Sequence, residues 1–291
     1  MLAALAAAVA LISLGLAWPW ALARPAGAAL GWLVGGVGRL RRGEVEDRLR
    51  SAGFADPAGI ARGMYASLGA ALYELLWTAA PGRRLLTRRV RLTARAEAAL
   101  TAVATSGAIV ATAHTGNWDL VACAVAERRP LWVVSKRLRV RWLDALWQGL
   151  RRRRGVRIVD ATGAVAATRE GLRQGALVAQ IIDQVPERAS GAMQAPFLGR
   201  DAWHDLTPAL LAARLRAPLF VALGRRCEDG THEVDVPLYM DAPDRADAAW
   251  AREVTVAMAR VLEEHVRAWP SQWLWLHRRW KPRTRGAGAR G

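Results

Sequence analysis

His114-Thr115-Gly116-Asn117-Trp118-Asp119 places an imidazole five positions ahead of a carboxylate, after an apolar β-type run (Gly107 to Ala113) and before a helix-like one (Leu120 to Glu127). A histidine titrating near neutrality can remove a proton from a hydroxyl. A carboxylate within reach can fix its tautomer and stabilise the imidazolium. Four intervening residues make a turn that can bring Asp119 back to the ring, giving a base and its orienter without a protein nucleophile, so the hydroxyl would come from a substrate. Asn117 and Trp118, between the two, are candidate substrate contacts. The same six residues also suit a plain helix N-terminus with His114 as cap and Asn117 and Asp119 as turn residues, and spacing alone leaves both readings open.

Other residues could join such a site. Asp183-Gln184 ends the apolar strand Leu177 to Ile182, and in a layered α/β fold neighbouring strand ends converge on one cleft; the competing reading is a polar turn with Pro186. Lys136-Arg137 follows the strand Leu131 to Val134 and offers cations to an anionic group, the lysine as a point charge without a bidentate fork. His204-Asp205 reads as a helix N-terminal feature rather than a second dyad. The two cysteines, Cys123 and Cys227, have neither a CxxC spacing nor a disulfide framework, which argues against a zinc site and for a reducing compartment. No metal is expected.

These residues need a scaffold. Short apolar runs at Ala108 to Ala111, Leu131 to Val134, Val156 to Val159, Leu177 to Ile182 and Pro218 to Leu223 alternate with helical segments, which indicates an α/β sandwich. Residues 58–80 carry a helical stripe, Ile60, Met64, Leu68, Leu72, Leu75 and Leu76, that stops at Pro81-Gly82. His232 to Tyr239 alternates as an edge strand, and Ala246 to Trp269 forms a long helix. Leu138, Trp142, Leu146, Trp147 and Leu150 share a helical face bracketed by arginines, suited to packing on the sheet or to lying at an anionic surface.

Met1 to Ala23 contains no charge and is long enough as a helix to cross a bilayer core. Its rivals are a signal peptide cleaved at Ala21-Leu22-Ala23 and a buried alanine-rich helix. The arginines that follow, from Arg24 to Arg42, keep the rest of the chain cytoplasmic by the positive-inside rule. The expected organisation is an anchor at 1–23, a membrane-proximal helical segment at 24–82, an α/β catalytic domain at 83–281 and a loose basic tail at 282–291. Over 291 residues the formal charge is +17, and forty of the 42 basic residues are arginine. That excess favours an anionic partner. A nucleic acid is set aside because no binding motif is present and three Phe with three Tyr make a poor stacking platform.

The segment His114 to Asp119 resembles the H-x4-D/E signature of glycerolipid-type acyltransferases, and its longer form H-T-G-N-W-D resembles the bacterial lipid A biosynthesis (lauroyl/myristoyl) acyltransferases. Similar to that family as well are the apolar N-terminus, the basic segment after Val134, Gly155 to Asp160, Asp183-Gln184, Pro196 to Arg200, and Gln272 to Lys281. The blocks cover nearly the whole chain in order. The resemblance implies a layered mixed sheet flanked by helices and transfer of a fatty acyl group, from acyl carrier protein or acyl-coenzyme A, to a lipid hydroxyl at the cytoplasmic face of the inner membrane. His114 would be the general base, Asp119 its orienter, and no cofactor is implied. Family members more often carry Glu at the Asp119 position and Arg at the Lys136 position. The second departure keeps another acceptor in view: a lysophospholipid, an aminolipid or a glycolipid.

Overall fold

The alternating runs form strands and helices in the computed structural model, which describes residues 19–78, 86–138, 140–186, 191–242 and 247–281. The chain begins there with helix α1 (Ala23–Gly31), which passes into a π-helical turn at Trp32–Val37. Helix α2 (Arg42–Ser51) is laced by the i,i+4 pairs Arg42–Glu46 and Arg48–Glu44. Helix α3 (Pro57–Trp77) starts where the Asp56 carboxylate accepts the Gly59 N–H, with Pro57 in its first turn. The expected stop at Pro81-Gly82 lies outside the described residues. Gly27, Gly31 and Gly35 are spaced at four and face α3 so closely that a Cβ on Gly31 would stand 2.5 Å from the Ala66 nitrogen.

The sheet is seven-stranded. Its strands and intervening helices are β1 (Val90–Leu92), α4 (Ala94–Ala102), β2 (Ala108–Thr112), α5 (Trp118–Ala126), β3 (Leu131–Ser135), α6 (Arg141–Arg153), β4 (Val156–Asp160), α7 (Ala164–Arg173) and β5 (Leu177–Ile181). A separate antiparallel hairpin, β6 (Ala192–Phe197) and β7 (Arg200–Asp205), is followed by α8 (Thr207–Leu215), β8 (Leu219–Arg226), β9 (His232–Met240) and α9 (Ala248–Ala268). The seven-stranded order is β1-β9-β8-β2-β5-β3-β4, every neighbouring pair parallel except β8 with β9. This is a mixed α/β sheet flanked by helices. The run at His232 is therefore not the edge: β1, three residues long and too short to show alternation, pairs outside it.

Strand β2 shows how the layers are divided. Ile109 and Ala111 join the core built with α2, α3, α8, α9 and the C-terminal tryptophans, whereas Ala108 and Val110 join the one built with α4 and α5. Helix α6 packs Leu146, Trp147 and Leu150 against Leu72, Leu75 and Leu76 of α3 rather than on the sheet, and leaves Trp142 and the preceding Leu138 and Val140 exposed. Residues 1–18, which hold most of the expected anchor, and the tail from 282 lie outside the described residues. Among the described residues no helix is long and apolar enough to cross a membrane.

Candidate functional site

Parallel pairing of β2 with β5 aligns Thr112 with Ile181. One residue on, the Ile182 N–H donates to the Thr112 carbonyl at 2.9 Å, and the next step brings His114 opposite Asp183. Two contacts lock them: the His114 backbone N–H donates to Asp183 Oδ2 and its Nδ1 meets Oδ1, both at 2.9 Å. The Trp273 indole N–H also donates to Oδ2 at 2.9 Å. Asp183 is fully buried. Burial alone would raise its carboxyl, but the facing His114 imidazole, then His277 and the donated N–H bonds, hold it well below the usual carboxylate range. An ionised Asp183 fixes the His114 proton on Nδ1 and leaves Nε2 with a free lone pair.

Asp119 was expected in that place and stands elsewhere. It sits in the first turn of α5, where a negative charge is favourable, and accepts the Arg151 Nε–H at 2.7 Å and an Nη2–H of the same guanidinium. Arg151, on α6, is also bonded to Gln148 at 3.2 Å. The turn does not carry Asp119 back to the ring because Asn117 starts the helix: its Oδ1 caps the Leu120 N–H at 3.0 Å while its amide donates to Glu74 at 2.8 Å and to the Ala71 carbonyl at 3.2 Å. Both ends of Asn117 are spent inside the protein, where it positions the turn. Asp183, behind His114, is buried as well. Gly116, at φ +57°, occupies the left-handed region, and a Cβ there would stand 2.9 Å from the Gly224 carbonyl oxygen.

Beneath Asn117 lies a buried ionic cluster. Glu74 bonds Arg226 through both carboxylate oxygens, at 3.0 and 2.8 Å, and lies 3.1 Å from His232 Nε2. Burial opposes its charge, yet His232 and Arg226 bring its carboxyl down to about 2. Nothing in the sequence pattern marked Glu74, a carboxylate within a stretch otherwise read as a hydrophobic stripe.

His114 opens onto a cavity of about 780 Å³, within the usual range for an organic ligand. Between the sheet and helices α4 and α5 its wall is apolar, formed by Val110, Val121, Val125, Leu131, Phe220 and Val236, while Trp118, Asp119, Gln184 and His277 line it near His114. Lys136, Arg137 and Leu138 form an exposed rim, with Arg137 Nε 3.3 Å from Asp160. The Trp118 and His114 rings meet edge to face at 4.8 Å. Of the residues expected from sequence, His114, Trp118, Asp119, Lys136, Arg137 and Gln184 therefore share one cavity.

The C-terminal segment completes it. Thr115 and Trp273 form an antiparallel bridge, the Gly116 N–H donates to Gln272 at 2.8 Å, and the Leu274 N–H to His114 at 3.1 Å. The same segment brings His277 to 4.6 Å from the His114 ring, centroid to centroid. Burial and the neighbouring His114 push His277 down to about 4, so it is neutral at pH 7. His204 is not part of this cluster: it is buried with Nδ1 2.9 Å from Arg279, while Asp205 caps the Thr207 N–H at 2.8 Å. Among the described residues no cluster of three or more His, Cys, Asp or Glu side chains is placed to hold a metal ion.

Residues 3–282 match a family model described as bacterial lipid A biosynthesis acyltransferase. Comparison with curated proteins gave no match.

Proposed function

The chain belongs to the bacterial lipid A biosynthesis acyltransferase family and is thus an enzyme that transfers acyl groups; from that premise we propose that His114, held by Asp183, is the general base of secondary acylation of a lipid A precursor. The observation that carries this reading is the His114–Asp183 pair at the entrance of an apolar cavity. The acyl chain of a thioester occupies the apolar part. A hydroxyl of the acceptor lipid gives its proton to His114 Nε2 as its oxygen bonds to the thioester carbonyl carbon. The tetrahedral intermediate then collapses, the carbon–sulfur bond breaks, and the departing thiolate takes the proton back from His114. Asp183 stays ionised throughout and balances the transient imidazolium, the role given to Asp119 by sequence spacing. The ester and the free thiol are the products, and no cofactor enters.

Acyl carrier protein is the proposed donor, since an acidic carrier suits the exposed rim cations Lys136 and Arg137 on a chain of charge +17. A coenzyme A thioester is anionic too and is the alternative. Work at the cytoplasmic face of the inner membrane is proposed from the uncharged residues 1–23 and the arginines behind them, and exposed Trp32, Leu33, Val37, Val140 and Trp142 lend support. Whole-cell lipid mass spectrometry tests the proposal in a Gram-negative host lacking its own secondary acyltransferases. A lipid A species heavier by one acyl group with the intact chain, absent with His114→Ala, is the expected result. A new acylated phospholipid, aminolipid or glycolipid with unchanged lipid A would move the acceptor. No change despite folded expression would defeat the assignment.

A further inference from the structure

A tetrahedral oxyanion forming beside His114 needs a hydrogen-bond donor, and several N–H groups around that residue are already committed. The backbone N–H of His114 goes to Asp183, that of Thr115 to Ala113, that of Gly116 to Gln272 and that of Leu274 to His114; the Trp273 indole goes to Asp183. Arg151 is spent on Asp119 and Gln148. His277 differs. It lines the cavity, its ring lies 4.6 Å from that of His114, and the Gln184 amide nitrogen stands 3.3 Å from its Nε2. An amide N–H donating to Nε2 requires the imidazole to carry its own proton on Nδ1. Among the described residues that Nδ1 meets no hydrogen-bond acceptor of the protein.

The backbone that carries the ring is also held in place. Arg41 donates to the Leu276 carbonyl at 2.8 Å, Arg48 to the Trp275 carbonyl at 2.7 Å, and the His277 N–H closes a turn on Leu274 at 3.3 Å. A donor fixed before reaction, in a partly buried site, costs little reorganisation when charge develops. We propose that His277 is a second catalytic residue, its Nδ1–H donating to the thioester carbonyl oxygen as that oxygen becomes negative, with Gln184 as the positioning residue that sets its tautomer. The proton stays on Nδ1; only the hydrogen bond strengthens. The neutral state of His277 at pH 7 accords with this and avoids a second cation beside the His114 imidazolium.

This inference rests on acyl transfer at His114, so the test carries its own control. Purified full-length wild type, His114→Ala, His277→Leu and His277→Asn are assayed with an acyl carrier protein thioester and a lipid A precursor, with both the acylated lipid and the released thiol followed. Leu keeps the bulk of the ring without a donor, whereas the Asn amide nitrogen can take the place of Nδ1. The expected result is a kcat about 10²–10³-fold lower in His277→Leu, with KM changed less than about threefold, and recovery of at least about tenfold in His277→Asn. A kcat within about threefold of wild type in His277→Leu, a loss confined to KM, or an Asn variant no better than Leu would overturn the proposal while leaving His114 in its role. A wild type that forms no acylated lipid, or His114→Ala as active as wild type, would bring down the assignment of the site itself, and the role of His277 with it.

Discussion

Asp183 and Asp119 make opposite demands on experiment. Asp183→Asn keeps the shape of the buried side chain but removes the charge that balances an imidazolium, and its amide can present an N–H where Nδ1–H needs an acceptor. Acyl transfer should fall by about 10²–10⁴-fold in kcat in protein that remains folded at the assay temperature. Asp119→Asn should do the reverse: it strips the charge partner from the largely buried Arg151, and breaking such a pair costs about 3–5 kcal/mol. Thermal melts beside the same assay separate the two. His114 was legible because a histidine at a strand-to-helix junction is a local pattern. Its partner was not, because the 69-residue separation of His114 and Asp183 becomes a contact only once β2 and β5 are known to be adjacent and in that register. Local spacing put Asp119 within reach, but the Asn117 cap starts the helix and Asp119 pairs with Arg151 instead.

At the scale of elements, the strand runs were readable wherever four or more apolar residues stood together. The β6–β7 hairpin was not: its sequence holds Pro196 and polar residues, and its turn relies on positive φ at Leu198 and Gly199. Helix α1 is held to α3 by a backbone approach at Gly27, Gly31 and Gly35 that spacing hints at but contact alone reveals. Gly31→Leu should force the two helices apart, since the clash is with the Ala66 and Tyr65 backbone rather than a movable side chain. Overpacking of this kind costs about 1–3 kcal/mol or more. Amide hydrogen exchange should show α1 losing protection while the strands β2 and β5 keep theirs. Uniform loss across the sheet would mean that α1 is part of the global folding unit.

At the scale of the molecule, three histidines, His204, His265 and His277, are each brought down to about 4, chiefly by burial. In the unfolded chain these groups protonate near pH 6.5, in the native state only near 4. The unfolded state thus binds more protons between those values, and stability present above pH 6.5 is lost as pH falls toward 4. With all three acting, the slope approaches about 4 kcal/mol per pH unit. Melting temperature measured from pH 7 to 4.5 should fall steeply, and His265→Gln should flatten the curve without touching the site. Glu74 adds a second, more acidic loss, between the ordinary carboxylate range and about 2.

The bridge between Thr115 and Trp273 ties the first half of the site to nearly the last residues described. Trp273 supplies one of the N–H bonds to Asp183, and its segment delivers His277. A ribosome releases His114 and Asp183 well before the residues that steady them, so a nascent chain can assemble much of its sheet while the charged carboxylate still lacks part of its cage. Completion of the cage thus waits on the segment that carries Trp273 and His277. A chain cut short of that segment holds His114 and Asp183 yet lacks the indole bond to the carboxylate and the second imidazole beside the first.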